Sequence, residues 1–153
     1  MSRGLQICLA LLRIATGLSL VASGAHKLGW FAHPGLEQVL ATWTSHTTNP
    51  LLQKYLGLVT PHASVLARVV AVGELGLGAL LILGLFTPLA ALLGFIMVLN
   101  FHFASGKMFS LDYLTGMDGL VYLLIFLVLA SGRAGLALGL DGALGKKSSA
   151  AAR

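Results

Sequence analysis

The sequence predicts an all-α fold, a transmembrane bundle of four helices with a short interfacial helical segment between the first and second. Three observations carry this expectation. Hydrophobic residues make up 57% of the 153 and charged residues only 10%, against about 25% charged in soluble domains. Mean hydropathy is +0.89. Four apolar stretches, about 5–26, 64–84, 88–106 and 115–132, approach the roughly 20 residues that cross a bilayer. Residues 1–145 then form one transmembrane domain, and 146–153, "KKSSAAAR", a disordered basic tail.

The first span carries Arg13, which interrupts the apolar run and argues against a cleaved signal peptide. In the segment that follows, Leu36, Val39, Leu40 and Trp43 recur at helical spacing, and Pro50 and Pro61 bracket a second short helix. Trp30, Trp43 and Tyr55 suit the headgroup level. The second span carries Arg68 and Glu74. Gly84 can end it and Pro88 can start the third span, so the two form an antiparallel hairpin. The third span carries Asn100 and His102, and the fourth carries Asp118. Arg3, Arg133, Lys146, Lys147 and Arg153 lie on the side of the termini, and Lys27, Lys54 and Lys107 on the other. Five against three predicts cytoplasmic termini in a multi-pass protein of the inner membrane.

A charge at mid-bilayer costs at least ~2.5 kcal/mol on insertion scales, so Arg13 and Glu74 need partners. Counted from the cytoplasmic ends of their spans, Arg13 lies roughly 12 Å deep and Glu74 roughly 15 Å. Arg13, Gly17, Gly24 and Lys27 share one face of the first span; Ala67, Ala71, Glu74 and Gly78 share one face of the second. Small residues let helices approach closely. The expectation is a seam along these faces, held by a structural Arg13–Glu74 ion pair. The other polar groups gather at the opposite end. His26, Lys27, Arg68, His102 and Asp118 are candidate binding residues there, with Lys107, Asp112 and Tyr113 in the loop above. Ionisable groups inside a membrane bundle mark a functional site by default.

Several chemistries are disfavoured. The single Cys8 provides no dithiol or intrachain disulfide. There is no H-E-x-x-H or other metal-ligand pattern, and "GELGLG" lies inside a membrane span rather than after a strand, so no metal or nucleotide cofactor is evident. His26 and His102 come from different spans at similar depth and offer at most one haem or metal. The net charge of +5 sets topology and meets anionic lipid, not nucleic acid. A cationic, histidine-bearing pocket beside apolar helices suits a quinone, or equally a small oxyanion such as thiosulfate.

The assembled motifs resemble the DoxX family of small four-helix membrane proteins. "LRIATGLSLVASGAHKLGWF" (Leu12–Phe31) has the pattern R-x3-G-x6-G-x2-K, and "PHASVLARVVAVGELGLGALLILGLFTPLAALLGFIMV" (Pro61–Val98) has G-E-L, L-x-L-G-L and a helix-starting proline. "SGRAGLALGLD" (Ser131–Asp141) is similar to a G-R-x-x-x-L-D ending, with three more residues between Arg133 and Asp141's Leu-Asp pair. The resemblance implies a four-helix transmembrane bundle and kinship with the membrane subunit of thiosulfate:quinone oxidoreductase. It matches Arg13, Lys27 and Glu74 to the family's polar positions. The expected function is a quinone-linked oxidoreductase component acting on a sulfur compound or thiol with a redox partner protein. Self-association is compatible with this. A non-catalytic anchoring or assembly subunit of a redox complex and a small transporter stand as alternatives.

Overall fold

The computed structural model describes residues 2–33, 35–116 and 118–144; the expected tail at 146–153 lies outside them. Among the described residues the chain is all-helical. Helix α1 runs Arg3–His26, α2 Gly35–His46, α3 Pro50–Val59, α4 Ala63–Leu83, α5 Thr87–Ala104, α6 Asp112–Thr115 and α7 Leu120–Ser131. Ser2 caps α1 by accepting from the Leu5 amide at 3.4 Å. Asn49 caps α3, accepting from the Leu51 amide at 2.9 Å, with Pro50 in the first turn. A 3-10 turn at Thr60–His62, carrying Pro61, links α3 directly to α4. Gly84, at φ +66, ends α4 in a left-handed cap whose neighbour Leu85 donates to the Leu80 carbonyl.

Three helical stretches, Arg3–His26, Pro50–Leu83 and Thr87–Ala104, are long and apolar enough to cross a membrane; Leu120–Ser131 is apolar but shorter. The expected span at 115–132 is therefore corrected. Its first residue, Thr115, is the last of α6, and the chain then bends, because Gly116 is extended (ψ 139) and Gly119 sits where a Cβ would lie 2.1 Å from the Tyr113 carbonyl. Two glycines within four residues also weaken any helix there. The 12 residues of α7 rise only about 18 Å.

Helix α1 lies along α4, α4 forms the hairpin with α5, and α5 packs on α7, which in turn touches α1 lightly. The pattern of burial is that of a protein in lipid. The buried face of α1 is Leu9, Ala10, Arg13, Thr16, Gly17, Leu20 and Gly24, while Leu5, Ile7, Leu11 and Leu18 are exposed. Small and polar groups inside with large apolar ones outside is the arrangement of membrane helices. Phe126 seats its ring on Gly94, where a Cβ would meet it at 2.5 Å. A second cluster, Leu36, Leu40, Leu56, Ala63, Ala67 and Ala104, fixes α2 and α3 against α4 and α5.

The chain after α7 folds back onto the α4–α5 turn. Asp141 accepts from the Phe86 and Thr87 amides at 2.8 and 2.9 Å, and its own amide donates to the Gly84 carbonyl. It is the N-terminal cap of α5, supplied from 54 residues away. Asp141→Ala is expected to cost about 1 kcal/mol, the usual effect of losing a cap, with Asp141→Asn recovering part. Denaturation of the purified protein in mixed micelles checks this; equal stability of Asp141→Ala and wild type would contradict it.

Candidate functional site

The site is set by the register of α1 on α4. Gly17 faces Gly78 so closely that a Cβ on either would lie 2.7 Å from the other's carbonyl oxygen, and Gly24 faces Glu74 and Leu75. The two small-residue faces expected from the sequence do meet. Lys27 follows one turn later, as the C-cap of α1. Its ammonium turns back over the helix end to Ser23 Oγ at 2.7 Å and to both oxygens of Glu74 at 2.6 Å. The Trp30 and Phe101 rings lie 5.7 and 5.8 Å from Nζ, placing the cation against aromatic faces. The side chains are 18% and 8% exposed, so this pair is largely withdrawn from its surroundings.

Glu74 thus pairs with Lys27, and the expected Arg13–Glu74 pair is corrected. Helix α1 begins at Arg3 and its first turns run past the end of α4, so Arg13 lies opposite Gly84. Gly84 is ten residues, about 15 Å along the helix, from Glu74. Counting both depths from a common surface missed this stagger. Arg13 is fully buried, donates from Nη2 to the Leu138 carbonyl at 2.9 Å, and has Asp141 as its counter-charge. It belongs to the lock between the chain end and the α4–α5 turn.

The Lys27–Glu74 pair floors a cleft of about 310 Å3, whose walls include Ser23, Trp43, Phe101, His102 and Tyr122. Of the five candidate residues, Lys27, His102 and Asp118 line it. His26 and Arg68 do not: both side chains are exposed, and neither is among its walls. His102 Nδ1 lies 3.4 Å from the Tyr113 hydroxyl, the rings meeting edge to face. Burial pushes the Tyr113 hydroxyl above its usual range. At the rim, Lys107 bonds Asp118 at 2.6 Å, and that hydrogen bond holds the Asp118 carboxyl below the usual carboxylate range. The rim pair is 53% and 75% exposed and adds little to stability.

Sequence reasoning placed Glu74 elsewhere and missed Ser23, Phe101 and Tyr122. One signal was present. Ser19, Ser23 and Lys27 stand four residues apart along α1, a polar track on one face. Larger hollows, about 470 Å3 beside Thr42–Asn49 and about 600 Å3 beside Leu136–Ala143, contain no buried ion pair. Among the described residues, no three His, Cys, Asp or Glu side chains are grouped as metal ligands. The cleft offers an ammonium donor, a carboxylate acceptor, an imidazole and aromatic walls. That set binds and orients a polar head and can hold or pass a proton.

The DoxX family model matches residues 8–107, about two-thirds of the chain. No curated protein and no solved structure matches it. The matched stretch runs from the first turns of α1 to the turn after α5 and contains Lys27, Glu74 and His102. With three helical stretches able to cross a bilayer, the chain is a membrane protein, and it belongs to the DoxX family.

Proposed function

We propose that this protein binds the carbonyl-bearing head of a lipid-soluble quinone in the Lys27–Glu74 cleft. In this reading it is the membrane component of an oxidoreductase that draws electrons from a sulfur compound or thiol through a partner protein. Helices α1, α4, α5 and α7 close as a four-helix transmembrane bundle in the inner membrane. The termini are cytoplasmic and the cleft lies near the outer face. The observation that carries the reading is a largely buried ion pair on the floor of an open, aromatic-walled cleft. Ionisable groups inside a membrane bundle mark a functional site by default. The residues fit a quinone head: the Ser23 hydroxyl donates to a carbonyl oxygen beside the Lys27 charge, Trp43 and Phe101 flank a ring, and Met97 and Val98 face its apolar edge. Bound quinone supplies two-electron redox capacity. The chain supplies orientation and, through Lys27, Glu74 and His102, a place for protons. The single Cys8 is an exposed free thiol, so a partner delivers the electrons.

The test uses the purified protein and a decyl-tailed benzoquinone. Quinone binding is expected to quench Trp43 fluorescence and raise the thermal midpoint as ligand concentration rises. The double variant Lys27→Gln/Glu74→Gln, which keeps a hydrogen-bonding pair without charge, is expected to fold and to lose both effects. If the wild-type protein shows neither quenching nor protection, the anchoring-subunit reading replaces this one.

A further inference from the structure

We infer that the ligand of this cleft arrives from the bilayer through a lateral window between α1 and α7. It is thus an amphiphile with a hydrogen-bonding head and a long apolar body. This rests on the reading of the Lys27–Glu74 cleft as a binding site and adds the route and class of ligand.

The cleft does not end at the ion pair. A second hollow of about 360 Å3 shares Ser23, Glu74, Val98, Asp118 and Tyr122 with it and continues to Ser19 and Leu20. Ser19 is eight residues before Lys27, so the opening reaches about 12 Å down α1 from the helix end. That depth is inside the hydrocarbon layer. The opening exists because α1 lies along α4 and meets α7 only lightly. The two helices that frame it carry exposed apolar side chains, Leu18 on α1 and Val121 and Leu124 on α7.

The hydroxyls in this window behave differently from others in the protein. A serine or threonine in a membrane helix ordinarily satisfies itself by donating to the carbonyl four residues back. Thr16, on the same helix, does so at 2.8 Å, and Ser131 does so on α7. Ser19 and Ser23 instead turn into the groove. Ser23 accepts from Lys27, and Ser19 lies 3.5 Å from the Tyr122 hydroxyl, which bridges the window. Each serine keeps its own O–H proton for a further acceptor. Lipid chains offer no acceptor, and polar groups facing hydrocarbon without partners are costly. A polar head drawn along Ser19, Ser23 and Lys27, trailing an apolar chain into the bilayer, satisfies them. At the aqueous side, the Lys107–Asp118 pair ties the turn after α5 to the turn before α7 across the rim.

The experiment places wild type, Ser19→Phe, Ser19→Leu and Ser19→Ala in phosphatidylcholine nanodiscs. Tryptophan quenching is read with decyl-benzoquinone and with the same ring lacking a tail. Ser19 is exposed, so the larger side chains plug the window without entering the core. Ser19→Phe is expected to weaken the decyl compound about tenfold and the tail-less ring less than about twofold. Ser19→Leu falls between, which keeps the test open if the phenylalanine variant does not fold. Ser19→Ala keeps the route and loses no more than about threefold. Unchanged decyl affinity in both plugged variants overturns the lateral route and leaves the cleft reading standing, and so does equal loss for both compounds. No quenching of wild type by either compound removes the cleft reading itself. A wild-type dimer that Ser19→Phe converts to monomer shows instead that a second copy covers the window, and overturns the proposal.

Discussion

Gly17→Leu is expected to remove most of the folded protein, costing about 3 kcal/mol or more. The argument is steric. At Gly17 a Cβ would lie 2.7 Å from the Gly78 carbonyl oxygen and 3.0 Å from the Ile82 amide nitrogen. Both are backbone atoms of a packed helix and cannot rotate aside. The helix axes must separate, and in lipid the close packing lost is the main force holding α1 to α4. Gly78→Leu meets the same obstruction from the other side, at Gly17's carbonyl and Val21's amide. Gly17→Ala forces a smaller separation and costs about 1–2 kcal/mol. Gly76 provides the contrast: nothing lies within 4 Å of its Cβ position. Gly76→Ala is neutral or gains up to about 1 kcal/mol of helix propensity. Titration of the purified protein with denaturing detergent, read by circular dichroism, orders the variants. A Gly17→Leu protein as stable as Gly76→Ala would sink the claim that backbone contact at this seam holds the fold.

The faces of this seam were legible in the sequence, and the register was not. Periodicity places Gly17, Gly24 and Lys27 together, and Ala71, Glu74 and Gly78 together, because the 3.6-residue repeat is local information. The stagger between the helices depends on where the α4–α5 turn falls against α1. That is fixed by the chain end, through Asp141 and Leu138, more than a hundred residues from Arg13. No local pattern encodes it. The same limit explains the fourth span. Hydropathy reads 115–132 as one stretch, while Gly116 and Gly119 confine the helix to Leu120–Ser131. For the candidate site, depth places Lys27, His102 and Asp118 at one mouth, and all three line the same cleft. It also admitted His26 and Arg68, because equal depth does not bring side chains into one hollow: both are exposed and neither lines the cleft.

Lys27→Met is expected to destabilise the protein by about 3 kcal/mol, more than Glu74→Gln, at about 1 kcal/mol. The two halves of the pair are not equivalent. Without Lys27, the Glu74 carboxylate, 8% exposed and in the interior of α4, is left without a counter-charge. It has no flexible stem with which to reach water. Without the Glu74 charge, the Lys27 ammonium retains Ser23 at 2.7 Å and stands at the end of α1. Its four-carbon stem lets it move to the interface. The double variant Lys27→Met/Glu74→Gln leaves no unpaired charge and recovers much of the loss. The coupling between the sites is therefore expected at about 1–3 kcal/mol. The same cycle between Arg13→Met and Glu74→Gln should give additive costs, because Arg13 is engaged with Leu138 some 15 Å away along α4. Stability of all six proteins in one detergent series measures both couplings. A strong Arg13–Glu74 coupling alongside a weak Lys27–Glu74 coupling would mean that α1 sits three turns away from this register, and the cleft built on Lys27 would go with it.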